Sequence, residues 1–430
     1  MQRNNFNLHS SVPTVWHSNF TYRKFIWRIS AVPAEPQIEN SNRIHLRYTH
    51  HRRDDRNPVL IVSENCLTTD IVHEVWPGTR AESIPVNLKD VGELFCGAGG
   101  MGFGFKQAGF VARWGVEIDE DACSTYEANV AKSICSKVED VDFKLLSPVA
   151  GLAFGFPCND FSLVGERKGT LGYFGGLYKE AIRALNEVRP FWFIAENVPG
   201  LMSSGGDSIL KKFSRAGRGY DVAVHLYKFD QYGVPQKRAR IVAVGIATEL
   251  EKRFRVPAPT HKGNPVTAQQ ALAGVDVVAH NNERTKHPAR TVEMLSYIPE
   301  GQNAWHKDVP ERLRIATSVK LSLIYRRLHR DEPAYTVVAA GGGGTHIYHY
   351  DEHRALTNRE RARLQSFPDG FVFTGRTGSV RKQIGMAVPP LAARVIADAL
   401  WKTFLDQAYP SCAPSHGYIS IRRDPVDAVS

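Results

Sequence analysis

The sequence predicts an α/β fold: a mostly parallel β-sheet with helices on both faces, joined to a second, small and irregular domain. Three observations lead there. From about residue 91 to 247, apolar runs of strand length alternate with helical spacing. A glycine-rich turn joins the first run to the first helix. At 430 residues, the chain is long enough for two or three units with a real core.

Val91–Cys96 reads as the first strand, and a helix follows the glycine turn through about Ala108. Ala112–Ile118 reads as the next strand, with a helix from Asp121 to Ala131 behind it. Gly151–Gly155, Phe191–Glu196, Val222–Phe229 and Arg240–Ile246 are further short buried strands, and Leu177–Val188 and Ser208–Ala216 carry helical spacing. Near-continuous apolar strands alternating with helices are what a sheet buried on both faces requires. Regular structure returns at Thr357–Phe367 and at Pro389–Leu405, the latter opened by two prolines that suit a first helical turn.

Composition narrows the class. Hydrophobic residues make up 43% and charged residues 23%. No apolar run approaches the ~18 residues that would span a bilayer, so the expectation is neither a membrane protein nor a disordered chain. Lys and Arg number 54 against 44 Asp and Glu, a net charge of +10 that suits a polyanionic partner. The six cysteines form no Cys-x-x-Cys pair, which argues against a disulfide framework or a four-thiolate zinc site and for a reducing, cytoplasmic setting. The first residues are polar and lack the apolar stretch of a signal peptide. No metal is expected.

Residues 1–88 show no sustained period, and their charges nearly balance. Their His/Arg patch (His45, Arg47, His50, His51, Arg52, Arg53) reads as a solvated polar stretch rather than a metal site, so this part is expected to be a poorly structured extension. Residues 248–330 are broken by prolines and hold 14 basic against 8 acidic residues, more than half of the chain's excess charge. That concentration favours a nucleic-acid-facing module over an ordinary solvated insertion. The expected division is 1–88 extension, 89–247 sheet domain, 248–327 basic irregular module, 328–405 return to the sheet domain, and 406–430 tail.

Glu93-Leu-Phe95-Cys-Gly97-Ala98-Gly99-Gly100-Met-Gly102 sits where a strand turns into a helix. Glycines there permit the tight turn and let a ligand approach bare backbone at a helix N-terminus. Glu117 closes the next strand, 20 residues after Gly97, where an acid in such sheets accepts from ribose hydroxyls. The competing reading is an acid favoured by a helix dipole. Asp140, past the following segment, is placed to accept from an adenine amine. No Gly-x-x-x-x-Gly-Lys-[Ser/Thr] occurs, and Gly341–Gly344, with no lysine after it, reads as a flexible turn. A dinucleotide or S-adenosylmethionine remains.

Gly155-Phe-Pro157-Cys158-Asn-Asp-Phe-Ser162 follows a buried strand and so places Cys158 at the carboxyl edge of the sheet. A free thiol near pKa ~8.5 is only slightly ionised at neutral pH, so a nucleophilic role needs cations beside it. Arg238 and Arg240, directly before a strand, are expected to present alternate side chains to one face and supply them. The alternative is an inert core cysteine. Phe191-Trp-Phe-Ile-Ala-Glu196-Asn197 drives an apolar strand into a carboxylate, which is costly without a task or a partner. A desolvated glutamate can hold a proton against a ring nitrogen. Structural capping is the other reading.

Phe-Cys-Gly-Ala-Gly-Gly, Pro-Cys158-Asn-Asp-Phe-Ser, Glu196-Asn-Val and Gln-Lys-Arg238-Ala-Arg240, in that order, resemble the DNA cytosine-C5 methyltransferases of restriction–modification type. Arg354-Ala-Leu-Thr357-Asn-Arg-Glu360-Arg-Ala-Arg363-Leu-Gln365-Ser-Phe367-Pro368 looks like the family's ninth motif, and Gln383-Ile-Gly-Met386-Ala-Val-Pro389-Pro390 like its tenth. The likeness covers about 91–247 and 328–405, which makes 89–247 and 328–405 the catalytic and cofactor-binding domain, and it reaches 248–327 by position only, where the family places its target-recognition domain. It implies a Rossmann-like S-adenosylmethionine-dependent sheet. Phe95, Gly97, Ala98, Gly99, Gly100, Glu117, Asp140, Pro157, Leu177 and Val388 would hold S-adenosylmethionine.

By the same resemblance, Cys158 would attack C6 of a cytosine flipped out of the duplex, and Glu196 would grip N3 and the exocyclic amine. Arg240 would contact the base O2 and favour the thiolate, while Arg238 braces the site. Double-stranded DNA is the implied partner, together with a cognate restriction endonuclease and no membrane, for a monomeric enzyme. Two positions depart from the family: Asn159 stands in place of glutamine, and Met386 in place of asparagine. Weaker cofactor affinity is the expected consequence. The competing readings are a catalytically weak DNA- or cofactor-binding relative, an RNA cytosine-5 methyltransferase, and a nicotinamide oxidoreductase supported by the glycine loop alone.

Overall fold

The computed structural model describes residues 87–157, 176–203, 205–315, 321–339, 341 and 343–420. All belong to one compact unit, His73–Ser430. The histidine–arginine patch of the first 88 residues, Cys158 and Asn159 lie outside the described residues.

Strands β1 (Asp90–Leu94), β2 (Val111–Glu117), β3 (Ser133–Cys135), β4 (Gly151–Phe154) and β5 (Trp192–Asn197) pair in parallel, in the order β3-β2-β1-β4-β5. Helices α1 (Gly100–Gln107), α2 (Glu120–Asn129) and α3 (Tyr178–Val188) make the crossovers that parallel pairing demands. After β5 come the short α4 (Gly200–Ser203) and then α5 (Gly206–Arg215), which leads into β6 (Tyr220–Lys228). The two-residue β7 (Gln236–Lys237) and β8 (Ala239–Ala247) follow.

The sheet departs from the expected parallel arrangement here. β8 inserts between β5 and β6 and runs antiparallel to both. The cause is the link from β6: only residues 229–238 lie between, too few for a crossover helix, so the chain turns back on itself as a wide hairpin.

The strands alternate their side chains between two apolar layers. Leu94, Trp114, Val116, Leu152, Phe154, Phe193 and Ala195 pack with α3 and α5 on one face. Val91, Ala153, Trp192, Ile194 and Val244 pack on the other against α1 and the later helix α10. The middle of the chain supplies β9 (Val256–Pro257), α6 (Ala268–Leu272), α7 (Ala289–Ser296) and β10 (Ala334–Tyr335). Then come α8 (Asn358–Leu364), α9 (Thr377–Met386) and α10 (Pro390–Phe404). α8 opens with a reciprocal capping box: Thr357 accepts from the Glu360 N–H while Glu360 accepts from the Thr357 N–H.

Residues 377–404 together are apolar and long enough to cross a bilayer, contrary to the sequence expectation, yet their most apolar window is more than half buried in the fold. A core helix meets the same criterion.

Two satellite cores stand beside the sheet. One joins Ala268 and Leu272 of α6 to α8 and α9. The other joins Met294, Leu295, Ile298, Val309 and Leu313 to Tyr348 and Ala355. The segment expected as a tail forms β11 (Ser411–Cys412) against β9 and β12 (Tyr418–Ile419), which lengthens the main sheet at β6.

Candidate active site

The parallel register sets Leu94 beside Val116, so β1 and β2 end side by side. Beyond β1 the backbone turns sharply: Phe95, Gly97 and Gly99 all hold positive φ, at 54°, 53° and 85°. Glu117 braces this turn. One carboxylate oxygen accepts from the Gly97 N–H at 2.9 Å, and the other accepts from the Ile118 and Asp119 N–H groups at 3.0 Å each. Asp119, not Glu117, caps α2, accepting from the Ala122 N–H.

A carboxylate has about four acceptor positions. With three used, Glu117 keeps capacity for one more donor. A Cβ built on Gly97 would meet nothing within 4 Å, so the backbone there faces open space.

The other side of the loop is closed. A Cβ on Gly100 would lie 2.2 Å from the Val388 carbonyl oxygen, and one on Gly104 would lie 2.4 Å from that of Pro390. Glycine at these positions lets α1 lie directly against the start of α10, which brings Val388 to the turn. Gly102 admits Glu93: a Cβ there would sit 1.9 Å from its carboxylate. Glu93 is buried, accepts from the Tyr126 hydroxyl at 2.7 Å, and burial pushes its pKa up to about 7 against the lowering effect of that bond and of the Gly102 N–H. Asp140 is exposed, at the end of a single turn beyond β3. Leu177 and Phe95 are half-buried against the α3 side of the core, and Ala98 is buried.

The second group gathers at the ends of β4, β5 and β8. Glu196 and Val242 are register partners, and Arg240 lies two residues from Val242. Alternation therefore puts Glu196 and Arg240 diagonally on one face. Their side chains meet, Arg240 Nε to Glu196 Oε1 at 2.8 Å, each about 15% exposed. A Cβ on Gly155 would come within 3.1 Å of the other Glu196 oxygen, and the Asn197 amide donates to the Phe156 carbonyl at 3.2 Å. The acid and its arginine are thus fixed to the backbone that leads through half-buried Pro157 to Cys158.

The two arginines do not share one face as expected. Arg238 falls in the break between β7 and β8, where strand alternation does not apply. It is buried and donates to the carbonyls of Val337, Gly385 and Ala387 at 3.0–3.1 Å. Gln236 extends the same tie: it accepts from the Val337 N–H and donates to Gln365, which in turn donates to the Ile384 carbonyl. Glu93 and Gln236 are contributors that sequence reading passed over; a lone acid inside Val91-Gly-Glu-Leu was the available signal for the first. Met386 is exposed. Among the described residues, no cluster of His, Cys, Asp and Glu could hold a metal ion.

The family model for C-5 cytosine-specific DNA methylases matches residues 90–402. Among similar proteins, the type II methyltransferase M.BbvI of Brevibacillus brevis is 47% identical, with 78% of this chain and 96% of the relative covered. The DNA (cytosine-5-)-methyltransferase M.ApeKI of Aeropyrum pernix is 30% identical, with 71% and 97% covered. The crystal structure of a putative DNA modification methyltransferase from an Escherichia coli prophage superposes with a TM-score of 0.60 at 25% identity, over 74% of this chain and 99% of that one.

Proposed function

The chain belongs to the C-5 cytosine-specific DNA methylase family, and on that premise we propose that it methylates C5 of a cytosine extruded from a specific duplex sequence, through a transient bond from Cys158 to C6. The donor is S-adenosylmethionine, which supplies an electrophilic methyl group when bound. The residues present fit it: bare backbone at Gly97 faces open space, and Glu117 keeps one acceptor position. Phe95, Gly97–Gly100, Glu117, Asp140, Pro157, Leu177 and Val388 hold it in this reading.

Cytosine C5 is a poor nucleophile until something adds across C5–C6. The Cys158 thiolate forms the S–C6 bond, and the displaced electron pair moves towards C5 and N3. Glu196 holds a proton at N3 and accepts from the exocyclic amine, so that charge does not build up on the ring. Arg240, already paired to Glu196, orients that carboxyl and favours the thiolate by its charge. C5 takes the methyl group, its proton leaves to a base, and the S–C6 bond breaks with its electron pair on sulfur, which restores both the aromatic ring and the thiolate while N3 gives its proton back to Glu196. Extrusion of the base costs a few kcal/mol, recovered from pocket and backbone contacts.

The observation that carries this reading is the Glu196–Arg240 pair lying against Gly155, three residues before Cys158. Transfer of labelled methyl groups to duplex DNA tests it: Cys158→Ser should abolish incorporation, and equal incorporation by both proteins would end the proposal. In competition, duplex DNA should outcompete tRNA; the reverse would move the substrate to RNA. Residues 248–327 are proposed to read the sequence. The type II names of the relatives support a place beside an endonuclease of matching specificity.

A further inference from the structure

Helix α8 carries three arginines in five residues, and two of them are fully engaged. Arg359 donates to the carbonyls of His280, Pro368 and Phe371, and Arg363 pairs with Asp369 and donates to the Ala273 carbonyl. Arg361, between them, is 0% exposed, and none of its three guanidinium nitrogens has an acceptor among the described residues. The neighbouring acid is bonded elsewhere: Glu360 is held by both terminal nitrogens of Arg354 and by the Thr357 N–H. A buried, unpaired guanidinium is costly and rare without a partner to come.

A second cation and a histidine stand beside it. Burial and then Arg381 push the Arg361 pKa down to about 10, which leaves it charged at neutral pH. Burial, Arg381, Arg361 and His287 push His346 down to about 4. Arg381 Nε and His346 Nδ1 also lack partners among the described residues. Arg381 is half-buried and donates to the Gly341 carbonyl at 2.9 Å. A Cβ on Gly341 would sit 2.6 Å from the Arg381 side chain, so the backbone lies close against the cation here.

Tyr335 of β10 lies within electrostatic reach of Arg361, which ties the cluster to the Arg238 side of the fold. β10 pairs with β7 two residues before Arg238, and Val337, just past β10, accepts from Arg238.

We infer that Arg361, Arg381 and His346 form a binding site for a phosphate group, filled in the working enzyme by a backbone phosphodiester of the DNA near the extruded cytosine. Planar guanidinium forks match phosphate oxygens, and both arginines have unused N–H donors that no carboxylate is bonded to, while neutral His346 adds a ring nitrogen that donates when the proton sits on Nδ1. Half-buried Arg381 meets the phosphate first, with Arg361 behind it. The choice of DNA as the source rests on the function proposed above; the anion site itself does not.

The test uses the full chain with Arg361→Met and Arg381→Gln. Duplex binding is measured against salt, and melting temperature with and without millimolar inorganic phosphate. Each variant should lower the log–log salt slope, and the two together by roughly 0.9, the value for one phosphate contact. Phosphate should raise the melting temperature of the wild type only. Arg361→Met without phosphate should melt no lower than wild type, since it removes an unpaired buried charge; a purely structural arginine predicts a fall. Loss of the phosphate effect with an unchanged salt slope would keep the anion site and overturn its assignment to DNA. Unchanged slope and unchanged phosphate response would overturn the whole inference. If Arg361→Met does not fold, Arg381→Gln carries both readouts. Cys158→Ser should keep the wild-type slope, so failure of the chemistry and failure of this site are told apart.

Discussion

Replacing Glu93 with glutamine should remove a pH dependence that the fold builds in. The carboxyl lies in β1 under the glycine turn, closed in by the Gly102 backbone and bonded to the Tyr126 hydroxyl. Its pKa rises from 4.5 to about 7 on folding, with burial the largest cause. Below pH 4.5 it is protonated in both states and contributes no pH dependence. Between 4.5 and 7 the unfolded chain releases the proton while the folded chain keeps it, so stability falls as pH rises. Above 7 both states are ionised and the loss is complete, on the order of 3 kcal/mol.

Glu93→Gln has nearly the same volume, can accept from Tyr126, and is neutral throughout. Other carboxylates titrate alike in both proteins, so the difference between the two urea-unfolding profiles isolates this group. That difference should grow in favour of the variant from pH 4.5 to 7 and then level off. Parallel profiles would refute the buried, proton-holding role.

Two further substitutions address the site. Gly100→Ala drives a Cβ into the Val388 carbonyl, backbone against backbone with no rotamer to relieve it. It should cost about 1–3 kcal/mol in calorimetry and weaken S-adenosylmethionine binding in titration; unchanged affinity would separate α10 from the cofactor. Glu196→Gln should slow methyl transfer by roughly 10²–10⁴ in single-turnover kinetics, the usual worth of a general acid–base group, while DNA affinity changes little. A wild-type rate would leave the carboxyl as a structural cap for Arg240.

Much of the fold was legible because burial on two faces leaves little choice of residue. Val91–Cys96, Phe191–Glu196 and Arg240–Ile246 are apolar enough to mark central strands, and the structure places strands there. What escaped was decided by tertiary contacts. The reversal of β8 follows from the length of a loop whose path was not visible. α9 has glycines at 378 and 385 and no side-chain cap, and it forms because Val380 and Ile384 bury against α8. β12 is two residues long and exists only as an addition to β6.

The site shows the same division. Gly97, Gly100, Glu117 and Val388 were expected around one ligand; the structure sets Glu117 against Gly97 and Val388 against Gly100, and Glu117 spends three acceptor positions on its own loop. Arg238 and Arg240 were expected together, but a one-residue break in pairing sends one into the interior and the other to Glu196. Arg361 gave no sign in the sequence, where it reads as one more charge on a polar helix.

The central claim is a covalent bond between Cys158 and the target base. A duplex carrying 5-fluorocytosine blocks the last step, because C5 has no proton to lose, so the adduct should accumulate. Intact mass after denaturation should show protein plus DNA plus one methyl group for the wild type and none for Cys158→Ser. A wild-type protein that binds both cofactor and duplex yet shows no such mass would contradict the account.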